Sequence, residues 1–455
     1  MRLDELKLSN FRCFEKLSIS FHPNLTVLVG VNGSGKTALL DAITYILSPL
    51  IKGLDQGKYL VFVKNDVMQK RTNDYSWIME AQYPVSLEAH GHIPEIRSEL
   101  NWYCERLGDK SGTTFSAERL LQDYATPLLK SVRQHEQVTL PIIAYYGAGR
   151  LWKQKKLQTP KAEKTNAEKE ILSRMAVYQD CFDAVADYKA FAEWFRDVTI
   201  AHIATFYENW ENVQRGKEIE ELDSDWQPHL YCIRKAVDIC LKVAEWEKIK
   251  YHPGRKEITI QHLHHGQLSL RQMSDGIKSM VAMVADIAYR IVFSNPHLGK
   301  EAIAQTPGIV LIDEVDMHLH PKWQQTVLED LKTAFPKIQF IVTTHSPQVL
   351  TTVEPECIRI LDWQNNKLTV CQPRSSYGAE SSRLLKDILG VSPRPNNEMS
   401  QKLSQYFDLI DQGKGDSSEA IRLKERLEQW SQGDEPALIK AEMEIRRRLR
   451  RRNHP

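Results

Sequence analysis

The sequence predicts an α/β protein: a parallel sheet carrying a phosphate loop, an antiparallel β lobe, a helical insert and a helical C-terminal extension. Three observations predict it. The apolar run Leu25 to Val29 ends in Gly30-Val31-Asn32-Gly33-Ser34-Gly35-Lys36-Thr37, a strand, glycine loop and helix start in succession. A second dense block, 268 to 350, alternates helix and strand as parallel sheets with crossover helices do. Between them, apolar and aromatic positions recur at helical spacing.

Taken in order, Leu3, Leu6 and Leu8 mark a first strand and Leu17 to Phe21 a second, ahead of the buried run that ends at Gly30. The helix from Lys36 is expected to stop near Ser48, because Pro49 has no amide proton and its ring crowds the preceding turn. From about 75 to 146 the pattern is extended, with Trp77 to Leu87, Leu100 to Arg106 and the run Leu140 to Tyr146, which suggests an antiparallel lobe. Residues 153 to 170 are polar and charged, a linker or the exposed start of the insert. Helical spacing follows over Ile171 to Gln214, with Phe182, Val185, Tyr188, Phe191 and Phe195 as core, and again over His229 to Ile249. The acidic run Glu218 to Asp225 reads as a solvated turn. Strand-like Ile258 to Gln261 opens the second dense block, and Cys357 to Leu361 with Leu368 to Cys371 flank a hairpin turn at Asn365-Asn366. From Ser381 to Arg452 the chain is helical and charged, without heptads or internal repeats. The expected divisions are 1–152, 153–255, 256–372 and 373–455.

Composition narrows the function classes. Sixty Lys and Arg against 59 Asp and Glu leave a net charge of +1, so the chain is no polycationic coat and any contact with DNA must be local, through basic patches. No stretch approaches the ~18 apolar residues a membrane helix needs. Met1 leads into the strand-like Leu3 to Asn10 rather than into a leader, so a cytoplasmic location is expected. Seven cysteines, never spaced C-x-x-C, are expected as buried free thiols. His252, His262, His264 and His265 lie close in sequence, but strand alternation splits them between faces and no cysteine is near, so they do not read as a metal site.

The chemistry is concentrated in four places. Polyphosphate carries several charges that must be desolvated. In the first element Gly30, Asn32, Gly33, Ser34 and Gly35 bring backbone N–H groups to it, Lys36 reaches the β and γ phosphates of a nucleotide, and Thr37 holds Mg²⁺. In the second, Gly308 to Ile312 delivers Asp313 and Glu314 at the carboxyl end of a strand, where Asp313 would fix the Mg²⁺ shell and Glu314 would polarise a water. The third is the strand Lys337 to Thr343, which delivers Thr344-His345-Ser346, with His345 placed to donate to the γ-phosphate. The fourth is Met273-Ser274-Asp275-Gly276-Ile277, where Ser274 reads as the N-cap of a helix start offering free N–H groups.

The order of these four elements resembles the ABC-type ATPase head: Walker A, signature, Walker B and H-loop. That resemblance assigns signature contacts to Ser274 and Gly276, although the family's Leu-Ser-Gly-Gly-Gln stands here as Met273-Ser274-Asp275-Gly276-Ile277. It makes Glu314 the catalytic glutamate, His345 the switch histidine, and Asp316 to His320 the D-loop. The opening Leu8-Ser9-Asn10-Phe11-Arg12-Cys13-Phe14 is similar to the RecF and SMC branch, where the residues matching Asn10 and Arg12 lie near the nucleotide. The resemblance puts the Q-loop in the region after Tyr146 (Gly147-Ala148-Gly149-Arg150) and leaves the position of its glutamine open, with Gln154 as a candidate. Asp313 to Pro321, Thr344 to Pro347, and Tyr377-Gly378 with Leu389 to Pro395 resemble the anti-phage ATPases of the PtuA type, found in Septu systems and with retrons.

In that family the signature of one chain completes the site of another, so the resemblance implies a homodimer or higher homo-oligomer closed by ATP. The likeness to Septu systems also implies a separate HNH-type nuclease subunit, and residues 356 to 455 carry no Asp-x-Asp strand, so no built-in nuclease is expected. The rival expectations are a RecF-like DNA-repair ATPase and an ATP-sensing module with negligible turnover. The tail, with Arg446, Arg447, Arg448, Arg450, Arg451 and Arg452 in seven positions, reads either as a solvated helix end or as a docking segment for nucleic acid or an acidic partner.

Overall fold

The computed structural model describes residues 1–54, 60–71, 78–93, 100–116, 118–149, 174–183, 188–214, 227–364 and 367–453. It divides into two compact units, 1–389 and 390–455.

The first unit is built on a six-stranded sheet in the order β16-β15-β3-β14-β13-β9. Its members are β3 (Leu25–Gly30), β9 (Ile142–Tyr146), β13 (Gly308–Ile312), β14 (Ile338–Thr343), β15 (Ile358–Gln364) and β16 (Lys367–Cys371). The first four are buried at every position. That is why they read as continuous apolar runs rather than as alternations: both faces are covered. Val27, Val29, Val310, Ile312, Phe340 and Val342 pack in one core, Leu28, Ile309, Leu311 and Ile341 in the other. The first core is closed by α3 (Tyr188–Gln214), α4 (Gln227–Leu241) and α5 (Asp275–Ser294), the second by α1 (Lys36–Gly53) and α2 (Glu118–Arg133). β3, β14, β13 and β9 run parallel, with Leu28 opposite Thr343 and Ile312 opposite both Val342 and Tyr146, so their carboxyl ends open on one edge.

An antiparallel sheet, β2-β1-β6-β7-β8, lies on the α1 side. It is formed by β1 (Arg2–Phe11), β2 (Phe14–Ser20), β6 (Val85–His92), β7 (Leu100–Arg106) and β8 (Thr114–Ser116). A short ribbon of β4 (Gln69–Arg71) and β5 (Met79–Ala81), and a three-stranded sheet of β10 (Trp246–His252), β11 (Glu257–His262) and β12 (Gly266–Ser269), complete the strands among the described residues.

Four expectations are corrected. Helix α1 does not stop before Pro49 but runs to Gly53. The carbonyl of Tyr45, which an amide at position 49 would have served, instead accepts a bond from Ser48 Oγ at 2.9 Å, and the buried Leu47, Leu50 and Ile51 hold the last turns down. The extended stretch contains a helix, α2, whose Leu121, Ala125, Leu128 and Val132 are buried at helical spacing, and the run to Tyr146 joins the parallel sheet rather than the antiparallel lobe. Trp246 to Ile249 is strand, not helix. A bulge between Glu247 and Lys250, with Lys248 at φ 57°, brings Trp246 and Ile249 to the same face three residues apart and so imitates helical spacing. Of the cysteines, Cys13 is half-buried and Cys371, on the edge strand, is exposed. Phe191 and Phe195 are fully buried as expected. The linker 153–170, Val185, Glu218 to Asp225, Asn365-Asn366 and Gln154 lie outside the described residues. No helix among the described residues is long and apolar enough to cross a membrane.

Unit 390–455 is a three-helix cluster of α6 (Glu398–Asp411), α7 (Ser418–Ser431) and α8 (Pro436–Asn453) around Leu403, Tyr406, Ile410, Ala420, Leu427, Leu438 and Ala441. The arginine tail is not uniform within it. Arg448 donates to the carbonyls of Ile410 and Asp411, closing the C-terminal end of α6, while Arg446 and Arg447 pair with Glu442 and Glu444 on their own helix.

Inside unit 1–389, α5 is tied to β9 by a buried polar set: Asp286 accepts from Tyr146 Oη at 2.7 Å and from Arg290 Nε at 2.8 Å. Removing one member of a buried ion pair strands the other. Asp286→Ala should therefore cost about 3–5 kcal/mol. The expected signature is a lower denaturation midpoint of the full chain, partly recovered when Arg290→Met is added.

Candidate functional site

The phosphate loop leaves β3 at Gly30 and returns in α1. Gly33 and Gly35 have φ of 81° and 91°, the left-handed region in which a side chain is strained. At Gly35 space forbids one as well, since a Cβ would lie 2.5 Å from Phe14 Cζ and 2.7 Å from Cys13 Sγ. The turn between β1 and β2 is thus the floor of the loop. The first turn of α1 carries no acidic residue, which leaves its amide end electropositive. Lys36 is buried, and its Nζ donates to the carbonyls of Gly30 at 2.9 Å and Val31 at 3.0 Å. Burial lowers its pKa, and the nearby Asp313 and Glu314 oppose that shift. Ser34 Oγ is buried and has no hydrogen-bond partner among the described residues, while Asn32 and Gly33 stand exposed at the rim. A buried hydroxyl with unspent capacity in a loop of left-handed glycines fits a phosphate-bearing ligand.

The acidic pair meets this loop directly. Thr37 Oγ1 donates to Asp313 Oδ2 at 2.8 Å, joining residues 276 apart in sequence. Thr343 Oγ1 donates to Asp313 Oδ1 at 2.6 Å. Asp313 is 4% exposed, and its N–H donates to the carbonyl of Tyr146 at 2.7 Å. Glu314 is half-buried at φ 49°, with its N–H donating to Thr343 Oγ1 at 2.7 Å. His345 follows two residues later, half-buried. Its pKa is lowered first by burial and then by Lys36, against the pull of Asp316, Glu314 and Asp313. Hence Lys36, Thr37, Asp313, Glu314 and His345 share one electrostatic neighbourhood at the carboxyl edge of the sheet.

Ser274 stands at the N-cap of α5 but is exposed, and its hydroxyl makes no capping bond. Gly276 lies against the loop that follows the acidic pair: a Cβ there would be 2.3 Å from the carbonyl oxygen of His318. Among the described residues no hydrogen bond joins Ser274 or Gly276 to the phosphate loop. Asn10 and Arg12 flank Phe11 with φ of 52° and 50°. Asn10 donates to the carbonyl of Pro84 at 2.9 Å, toward the antiparallel lobe. Arg12 is held by Asp41 on α1 and by the buried Asp66, the latter at 3.0 Å. His262 Nδ1 accepts the N–H groups of His264 at 3.0 Å and His265 at 3.3 Å, so that nitrogen orders a turn. No cluster suited to a metal ion occurs among the described residues.

Several residues of this site escape sequence reasoning. Asp41 had a legible signal, standing one helical turn after Thr37 on the same face. Thr343 ends the strand that delivers His345, but nothing in its sequence position indicates that its hydroxyl serves both acids. Asp66 carries no signal at all. Its partners, Arg12 and Tyr45, are brought to it by the fold.

The chain belongs to the AAA ATPase domain family, which matches residues 1–350. It is 28% identical to "Retron Ec83 probable ATPase" of Escherichia coli, over 99% of this chain and 87% of that protein. It is 26% identical to "Retron Vc95 probable ATPase" of Vibrio cholerae, over 93% of this chain and 86% of that one. A shorter likeness, 47% identity over 78 residues, covers 17% of this chain and 10% of "Septu protein PtuA" of Bacillus mycoides. The resemblance to PtuA-type and retron-associated ATPases read from the motifs is thereby borne out, and the chain is an ATPase by family.

The field at His345 gives a direct test. Burial and Lys36 both disfavour the imidazolium, so the ring should be neutral at pH 7 and titrate below 6.5 in an NMR titration. Lys36→Met removes the cationic contribution and should move the midpoint upward. A midpoint that stays fixed would show that Lys36 does not reach the ring.

Proposed function

We propose that this protein is an ATP-driven switch that dimerises around MgATP and controls a separate nuclease in anti-phage defence. The observation that carries the proposal is the bond from Thr37 to Asp313, which puts a phosphate loop and an acidic strand end in hydrogen-bond contact. Gly30, Asn32, Gly33, Ser34, Gly35 and Lys36 bind the phosphates of ATP. Thr37 and Asp313 hold Mg²⁺, which when bound offsets the charge of the phosphates. Glu314 orients and deprotonates the attacking water, and His345, neutral at pH 7, donates a hydrogen bond to the γ-phosphate. Residues 1–152 and 256–372 are then two halves of one head, with 153–255 inserted and 373–455 appended.

Ser274 and Gly276 act in a second copy's site. The exposure of Ser274 and the absence of a bond from it to its own phosphate loop support this assignment. Arg12 and Asn10 act from beneath the loop, where Arg12 holds Asp41. Turnover by an isolated protomer is slow, because completion in trans by a charge-stabilising group changes such rates by about 10³–10⁵. The retron ATPase relatives, aligned along nearly the whole chain, favour a defence role over RecF-like repair. The likeness to "DNA replication and repair protein RecF" of Lactococcus lactis extends over 46 residues, 10% of this chain. The chemistry that cuts nucleic acid belongs to an HNH-type partner.

Glu314→Gln should reduce phosphate release by about 10²–10⁴-fold. With ATP it should also elute as a stable dimer on size exclusion, where the unaltered protein dissociates as it turns over. Normal turnover by the variant would remove Glu314 from its role. A monomer at saturating ATP would remove the shared site.

A further inference from the structure

We infer that Thr343 is a positioning residue that sets which oxygen of Asp313 faces the metal and holds Glu314 in its strained conformation; the inference rests on the ATPase reading above. A hydroxyl has a single proton to give and lone pairs to receive with. Thr343 Oγ1 spends its proton on Asp313 Oδ1 at 2.6 Å and receives the N–H of Glu314 at 2.7 Å. Its own carbonyl receives the N–H of Val315 at 3.0 Å. One residue thus grips three consecutive positions, from the neighbouring strand of the sheet and with no exposure to solvent.

The consequences follow from geometry. With Oδ1 engaged by Thr343, the carboxylate is turned so that Oδ2 points to Thr37, the other residue assigned to Mg²⁺. Glu314 at φ 49° is a non-glycine residue in the left-handed region, a conformation that persists only where its surroundings enforce it. The bond from its N–H to Thr343 Oγ1 supplies such a constraint. Thr343 has no place for a direct contact with phosphate, being wholly buried beneath the acids it holds. Groups that orient a metal's ligands in this way commonly alter metal affinity by 10–100-fold when removed.

The test measures binding before activity. Mant-ATP is bound to the full-length protein in EDTA, and then at fixed nucleotide with Mg²⁺ titrated in, for the unaltered protein and for Thr343→Val, Thr343→Ser and Thr343→Ala. Thr343→Val keeps the side-chain shape without the hydroxyl, and Thr343→Ser keeps the hydroxyl without the methyl. The expected result is unchanged mant-ATP affinity in EDTA for all four, with the Mg²⁺ midpoint raised about 10–100-fold in Thr343→Val and Thr343→Ala and within about threefold of normal in Thr343→Ser. In steady-state phosphate release the same two variants should lose kcat with little change in KM. A normal Mg²⁺ midpoint in Thr343→Val, with a melting curve matching the unaltered protein, overturns the inference. Should Thr343→Val fail to fold, the Ala and Ser variants decide, and equal midpoints for those two overturn it. If the unaltered protein takes up no mant-ATP with or without Mg²⁺, the ATPase assignment itself falls.

Discussion

A carboxylate sealed from water must be protonated, bound to a cation or surrounded by donors, and Asp313 is such a carboxylate. Its carboxylate accepts from two elements far apart in sequence, Thr37 at the head of α1 and Thr343 at the end of β14, while its backbone N–H donates to the carbonyl of Tyr146 on β9. These partners meet only if β14 lies between β3 and β13 and β9 flanks β13 on the other side, which is the strand order found. The architecture of the parallel sheet can therefore be read as the arrangement that satisfies one buried acid. Covering the sheet on both faces is what makes that acid buried in the first place.

Much of this was legible in the residues. Strands buried on both sides announce themselves as unbroken apolar runs, so β3, β13 and β14 were placed within a residue or so, and with them the side chains at their ends to which roles are proposed. What escaped notice has identifiable physical causes. A bulge at Lys248 gave a strand the spacing of a helix. A serine hydroxyl let α1 pass through a proline, because the orphaned carbonyl found another donor. Asp41, Asp66 and Thr343 matter through partners supplied by folding, and a side chain's partner is not written beside it in the chain.

The floor of the phosphate loop shows the same dependence. Gly35 is pressed on by Cys13 and Phe14, and the turn that carries those two is pinned through Arg12 to Asp41 on α1 and to Asp66. Arg12 is thus placed to transmit displacement between the loop's helix and the antiparallel sheet. Charge is arranged economically here, since one guanidinium serves two carboxylates, one of them buried.

The arginines at the end of the chain are chemically identical but mechanically unequal. Arg448 is a strut: its guanidinium spans from α8 to the last carbonyls of α6, so the three-helix unit closes on it. Trimming the terminus from residue 446 onward would loosen that unit as well as discharge it, and any lost contact with a polyanion would be confounded with partial unravelling. Neutralising Arg446 and Arg447 alone leaves the strut standing and separates adhesion from architecture.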